Sequence, residues 1–109
     1  MDFKLFQKCF KEYQVKFGLT GWKVYFKHEK LEKCFASIDA DCGDMVATIR
    51  FNKELPRRDG RDIKVSAKHE AIHLLLMRLE GNARYRFASA TEIYEAVEEL
   101  TVKLEGLIT

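Results

Sequence analysis

The sequence predicts an α+β domain with an N-terminal helix, a small three-stranded sheet that is antiparallel or mixed, and then two helices. Three observations predict it. Apolar residues recur at helical spacing near the start, alternate with period two through the middle, and return to helical spacing from about Asp62. With 109 residues, 47% of them hydrophobic, the chain suits one domain, residues 1–109, around a single modest core. No repeat or low-complexity tract interrupts it, and Pro56 is the only proline.

The elements follow in order. Phe3, Phe6, Phe10, Tyr13 and Phe17 form one stripe of a first helix, with Gly18 placed to stop it. Trp22, Val24 and Phe26 alternate with Lys23, Tyr25 and Lys27 as a half-buried strand. Cys34, Ala36, Ile38 and Ala40 alternate with Phe35, Ser37 and Asp39 as a second. Met45, Ala47, Ile49 and Phe51 alternate with Val46, Thr48 and Arg50 as a third. The intervening CGD suggests a hairpin in which Gly43 takes a positive φ. KELPRRDGRD reads as a loop. A helix is expected from about Asp62 to Glu80, with Val65, His69, Ile72, Leu76 and Leu79 on its apolar face and Gly81 as its stop. A last helix, about Thr91 to Ile108, presents Ile93, Val97, Leu100, Leu104 and Ile108. Ser89 and Glu92 have capping-box spacing before it.

Bulk properties narrow the function. A net charge of +2 with interspersed signs does not demand nucleic acid or membrane as a partner. One local basic excess, Lys53, Arg57, Arg58, Arg61, Lys64 and Lys68, reads as a solvated surface or a weak anionic docking face. MDFKLFQKCF lacks a signal peptide's apolar run, and no segment approaches the ~20 apolar residues of a membrane helix. Cys9, Cys34 and Cys42, odd in number and unpatterned, point to free thiols in a reducing cytoplasm.

The chemistry concentrates in AKHEAIHLLL. Side chains four apart on a helix point the same way from adjacent turns, so His69 and His73 can aim both imidazoles at one point. Zinc accepts imidazole nitrogen at ~2.0–2.1 Å, and a helix supplies that bite without loop strain. Glu70 projects to the flank of the point, as the HExxH division into two ligands and one general base requires. Two buried imidazoles without partners are costly, and a metal satisfies both.

A catalytic zinc needs a third protein ligand and an open position. His28, near the end of the first strand, looks like an exposed turn residue. A closed Cys2His2 site is disfavoured, because Cys34 and Cys42 on one extended strand lie roughly 26 Å apart. The last helix offers Glu92, Glu95, Glu98 and Glu99. Glu92 is engaged by the cap, Glu95 and Glu99 point outward, and Glu98 sits at the margin of the apolar face, with Glu95 the next choice.

HEAIHLLL (His69 to Leu76), the acidic helix YEAVEELTVKL, and the preceding strands GWKVYF and MVATIRFN together resemble a zincin metallopeptidase of the minimal gluzincin type. The chain is similar to small phage-type, SprT-like and ImmA/IrrE-type proteins. The resemblance implies zinc held by His69 and His73, Glu70 as base, and a downstream glutamate as third ligand. ImmA/IrrE-type proteins place that glutamate roughly two dozen residues after the second histidine, which favours Glu98. No third histidine matches the SprT-like pattern, and the chain is too short for the second subdomain of larger gluzincins.

On that reading the protein hydrolyses peptide bonds with zinc-activated water. Tyr85, Tyr94 and Arg84 are candidate oxyanion donors, Asp39, Asp41 and Glu95 candidate partners for the histidines, and Met45 to Asn52 the preferred edge for a substrate strand. Two rival readings stand beside it. One is a non-catalytic module whose two C-terminal helices are stapled by zinc and which binds a partner protein. The other is a metal-free nucleic-acid accessory protein using Arg57, Arg58, Arg61, Lys64, Arg84 and Arg86.

Overall fold

The computed structural model describes residues 2–32, 34–54, 60–84 and 89–108. They form α1 (Asp2–Lys16), β1 (Lys23–Glu29), β2 (Ala36–Asp41), β3 (Val46–Asn52), α2 (Gly60–Leu75), α3 (Met77–Ala83) and α4 (Ala90–Leu107). The α+β class is as the periodicity predicts, and the sheet is the mixed one. Its order is β1-β3-β2, with β1 parallel and β2 antiparallel to the central β3.

The core lies where α1 and α2 meet the sheet. The expected α1 stripe faces inward, with Phe6 and Phe10 fully buried. Their rings pack on Phe26 and Phe51 at centroid separations of 4.8–6.4 Å, in the tilted and edge-on arrangements that aromatic quadrupoles favour. Gly18 ends α1 at φ 73; its amide bonds to the Val15 carbonyl and that of Leu19 to the Gln14 carbonyl, the paired closure of a Schellman motif. Ala47, Ile49 and Phe51 form the buried row of β3, also as expected.

Three local expectations are corrected. In the β2–β3 turn the left-handed residue is Met45 (φ 56), not Gly43. Asp41 Oδ1 accepts the amides of Gly43 at 2.9 Å and Asp44 at 3.3 Å, and a Cβ on Gly43 would meet that oxygen at 3.2 Å, so glycine serves close approach here. The helix expected to run to Glu80 is interrupted at Leu76, and Gly81 lies inside α3 instead of stopping the chain. The Leu76 amide still bonds to Ile72 and its carbonyl still accepts from Glu80, so α3 continues closely from α2.

The rotation of α2 also differs. Its most buried residues are Ile63, Ala67, Glu70, Ala71, Ile72 and Leu74, whereas Val65 and Leu79 are exposed. The segment carries enough apolar residues to draw several stripes, and packing against α1 and the sheet chose the one that includes Glu70. On α4, Ile93, Val97 and Thr101 are buried and Leu100 is exposed. Thr101 sits fully inside by returning its hydroxyl to the Val97 carbonyl at 2.8 Å. The predicted capping box forms at Ser89: the Glu92 amide donates to Ser89 Oγ and the Ser89 amide to Glu92 Oε1, each at 3.1 Å. Among the described residues no helix is long and apolar enough to cross a membrane.

Candidate metal centre

The seam between α2 and α4 gathers His69, His73 and Glu98. Helical spacing brings the two imidazoles onto one flank of α2, with ring centroids 4.9 Å apart. Glu98 reaches both: Oε1 lies 3.2 Å from His69 Nε2, and Oε2 lies 3.1 Å from His73 Nε2. One ligand atom from each residue can be chosen so that all lie within 4.8 Å of one another. Donors held ~2.0–2.1 Å from a tetrahedral ion sit about 3.3 Å from each other, and each imidazole Nε2 stands near that distance from one Glu98 oxygen, a different oxygen for each. This group can hold a metal ion, and its donors, two borderline imidazoles and one hard carboxylate, suit zinc and neighbouring divalent metals.

The other glutamates are engaged elsewhere or turned outward. Glu92 is consumed by the cap, Glu99 pairs with Lys103 at 2.9 Å on the surface, and Glu95 is exposed. Cysteines do not enter the group, and Cys34 and Cys42 lie beyond opposite ends of β2. All three cysteines are free thiols. His28 is exposed, but within β1 and not in a turn, and it stacks on Phe3 at 4.6 Å.

A second carboxylate holds the far side of His69. Glu105 Oε2 lies 2.5 Å from His69 Nδ1. With Nδ1–H donating to Glu105, Nε2 keeps its lone pair turned toward His73 and Glu98, the tautomer a metal requires. Sequence reasoning points to Asp39, Asp41 and Glu95 for such a partner and misses this one. Asp39 instead pairs with Arg50 across the sheet, and Asp41 closes the β-turn. The signal for Glu105 is present in the chain: it follows Glu98 by seven residues, two turns along one face.

Glu70 lies beside the group and is 6% exposed. Burial, then the Glu98 and Glu105 carboxylates, push its pKa up to about 8. Among the described residues no hydrogen bond reaches its carboxyl, which borders the adjoining cleft. Burial draws His73 below the usual imidazole value, Glu98 opposes that shift, and His69 reinforces it. A desolvated acid bordering a cleft marks a candidate functional site.

That cleft, about 540 Å³, runs between β2 and the helices; Ile38, Asp39, His73, Met77, Tyr94 and Glu98 are among the residues lining it. Its strand wall is β2, which corrects the expectation that Met45 to Asn52 is the open edge. β3 is central and paired on both sides. The free edge can be assigned group by group. The Asn52 amide donates to the Phe35 carbonyl at 2.9 Å, so in this register residues 37, 39 and 41 turn their backbone groups toward β3. Ala36, Ile38 and Ala40 therefore turn theirs to the open side.

Of the other candidates, Tyr94 and Arg84 line the cleft, Arg84 pairing with Glu80 at 3.3 Å. Arg57, Arg58, Tyr85 and Arg86 lie outside the described residues. Lys68 spends its ammonium on the Ile108 carbonyl at 2.8 Å. Fold and site together define a small α+β protein with a candidate mononuclear metal centre between two helices. No protein-family model matches the chain, and neither the curated proteins nor the solved structures contain a significant match to it.

Proposed function

We propose that the protein is a zinc-dependent peptidase of the minimal gluzincin kind that the HEAIH motif resembles. The observation that carries this reading is the placement of Glu70: a buried carboxyl with a raised pKa, unpaired among the described residues, beside a convergent His69–His73–Glu98 group. Zinc bound there would polarise a substrate carbonyl and acidify water. Glu70 would accept a proton from the attacking water and deliver it to the leaving amine. Glu105 would fix the His69 tautomer, and Tyr94 and Arg84 border the cleft as donors for developing negative charge. The backbone groups of Ala36, Ile38 and Ala40 would receive a substrate as an added strand.

The zinc-stapled module is the second reading, favoured by ligands that bridge α2 and α4. A staple has no use for Glu70, and that residue separates the two. Zinc content, followed by hydrolysis of a peptide pool by wild type and Glu70→Gln, tests them. The peptidase reading expects stoichiometric zinc in both proteins and a ~10²–10⁴-fold loss of hydrolysis in the variant. A chain that takes up no divalent metal above background overturns both readings. Metal uptake without Glu70-dependent hydrolysis leaves the staple.

A further inference from the structure

We infer that the chain pairs with a second copy of itself, as a two-fold symmetric dimer, through the back of the α2–α4 seam. The seam has two flanks. On one, His69, His73, Glu98 and Glu105 meet. On the other, Lys68 crosses from α2 to the end of α4, its ammonium donating to the Ile108 carbonyl at 2.8 Å. Leu75 follows Lys68 by seven residues, two turns along the same side of α2. On α4, Leu100 and Leu107 are likewise seven apart. Each follows a carboxylate of the first flank, Glu98 or Glu105, by two residues, a rotation of about 200° away from the metal group. Ile93, Val97 and Thr101 fill the arc between and are buried.

The apolar arc of α4 is therefore wider than what α2 covers. Leu100 stays 41% exposed, Leu107 77% and Leu75 40%. Together they leave on the order of 300 Å² of apolar surface in water, the size at which a monomer's largest patch is often functional. The lysines beside these leucines are engaged within the chain, Lys68 by the Ile108 carbonyl and Lys103 by Glu99 at 2.9 Å. The contact is thus apolar at its centre and does not call for a partner of opposite charge. A second copy meets that requirement, since a net charge of +2 sets little repulsion between copies. A two-fold axis across α4 sets Leu100 of one protomer against the partner's Leu107, and the same contact recurs on the other side of the axis. The leucines supply the centre. The exposed helix surface around them, with Ala96, Glu99 and Lys103, supplies the rest of the ~800 Å² per copy that a stable interface buries. Both helices contribute leucines, so the contact also holds α4 on α2 from behind and keeps Glu98 beside the two imidazoles.

Sedimentation of the full chain from about 1 µM to about 1 mM tests this. A monomer–dimer equilibrium that stops at the dimer is expected, because an isologous contact uses up its own surface. Leu107→Glu and Leu100→Lys should each weaken the dimer at least about tenfold with helix content by circular dichroism unchanged. Val102→Glu, at an exposed position turned about 200° from Leu100 on the same helix, should leave the equilibrium as it is. An equal mixture of the Leu107→Glu and Leu100→Lys chains should associate again, because opposite charges then face each other at one contact and two leucines at the other. A wild-type chain monomeric at every concentration overturns the inference. So does growth past the dimer, a dimer that survives both leucine substitutions, or a mixture that fails to recover.

Discussion

Where α1 lies on the sheet, aromatic and aliphatic side chains close the interface; where α4 lies on α2, a row of ionisable side chains stands beside the buried Ile93, Val97 and Thr101. The first seam is built on Phe6, Phe10, Phe26, Ile49 and Phe51, with no ion pair among them. The second is His69, His73, Glu98 and Glu105, with Glu70 beneath them. Burial of apolar area stabilises the first whatever the pH or metal content. Charges taken from water are stabilising only when paired or coordinated, so the second seam is conditional on both. The difference teaches where the molecule is scaffold and where it is responsive.

The largest effect should come from breaking the scaffold. Phe10→Ala leaves a cavity under the sheet and is expected to cost about 3–5 kcal/mol, by the same amount in zinc and in chelator, when measured by urea unfolding. A loss that depended on zinc would erase the distinction between the seams.

The responsive seam is probed next through Glu70. Its folded-state pKa, about 8, exceeds the usual 4.5, so between those values the folded protein holds a proton that the unfolded chain has released. The stability tied to this proton is whole below pH 4.5 and is lost as pH rises toward about 8. Glu70→Gln, which never ionises, should therefore gain on wild type by a few kcal/mol across that window in chelator. With zinc added the advantage should shrink, because a nearby cation favours the carboxylate. A pH-independent difference in thermal denaturation would show that Glu70 is not desolvated.

Glu105→Ala should weaken zinc affinity ~10–100-fold by releasing His69, and Glu105→Gln, which keeps an acceptor, should restore part of it. Equal affinities in competition titrations would make Glu105 a bystander. The smallest change is Ser89→Ala, expected to cost about 1 kcal/mol by removing the α4 cap while leaving zinc affinity nearly unchanged.

Much of the fold and of the site is legible in the order of residues alone. Local periodicity decides which face of α1 and of β3 is buried, because side-chain direction there repeats every 3.6 or two residues. The capping box at Ser89 and the stop at Gly18 depend on residues adjacent in sequence. His69, His73 and Glu70 share one helix, so their relation follows from helical geometry alone. Glu98 stands on a different helix, yet its position at the apolar margin singles it out, and the fold does carry it to both imidazoles.

What the chain order could not settle was how several of the elements sit against one another. The rotation of α2 about its axis placed Glu70 in the interior and Val65 outside, since several apolar stripes competed and only packing against α1 and the sheet could select one. Sheet order made β2 and not β3 the open edge, because pairing joins segments whose separation in sequence carries no mark of who lies outermost. Glu105 found His69 across a helix–helix seam. Sequence alone determined which residues could do chemistry; the tertiary structure decided which of them meet, because convergence depends on distances between elements that no local pattern encodes.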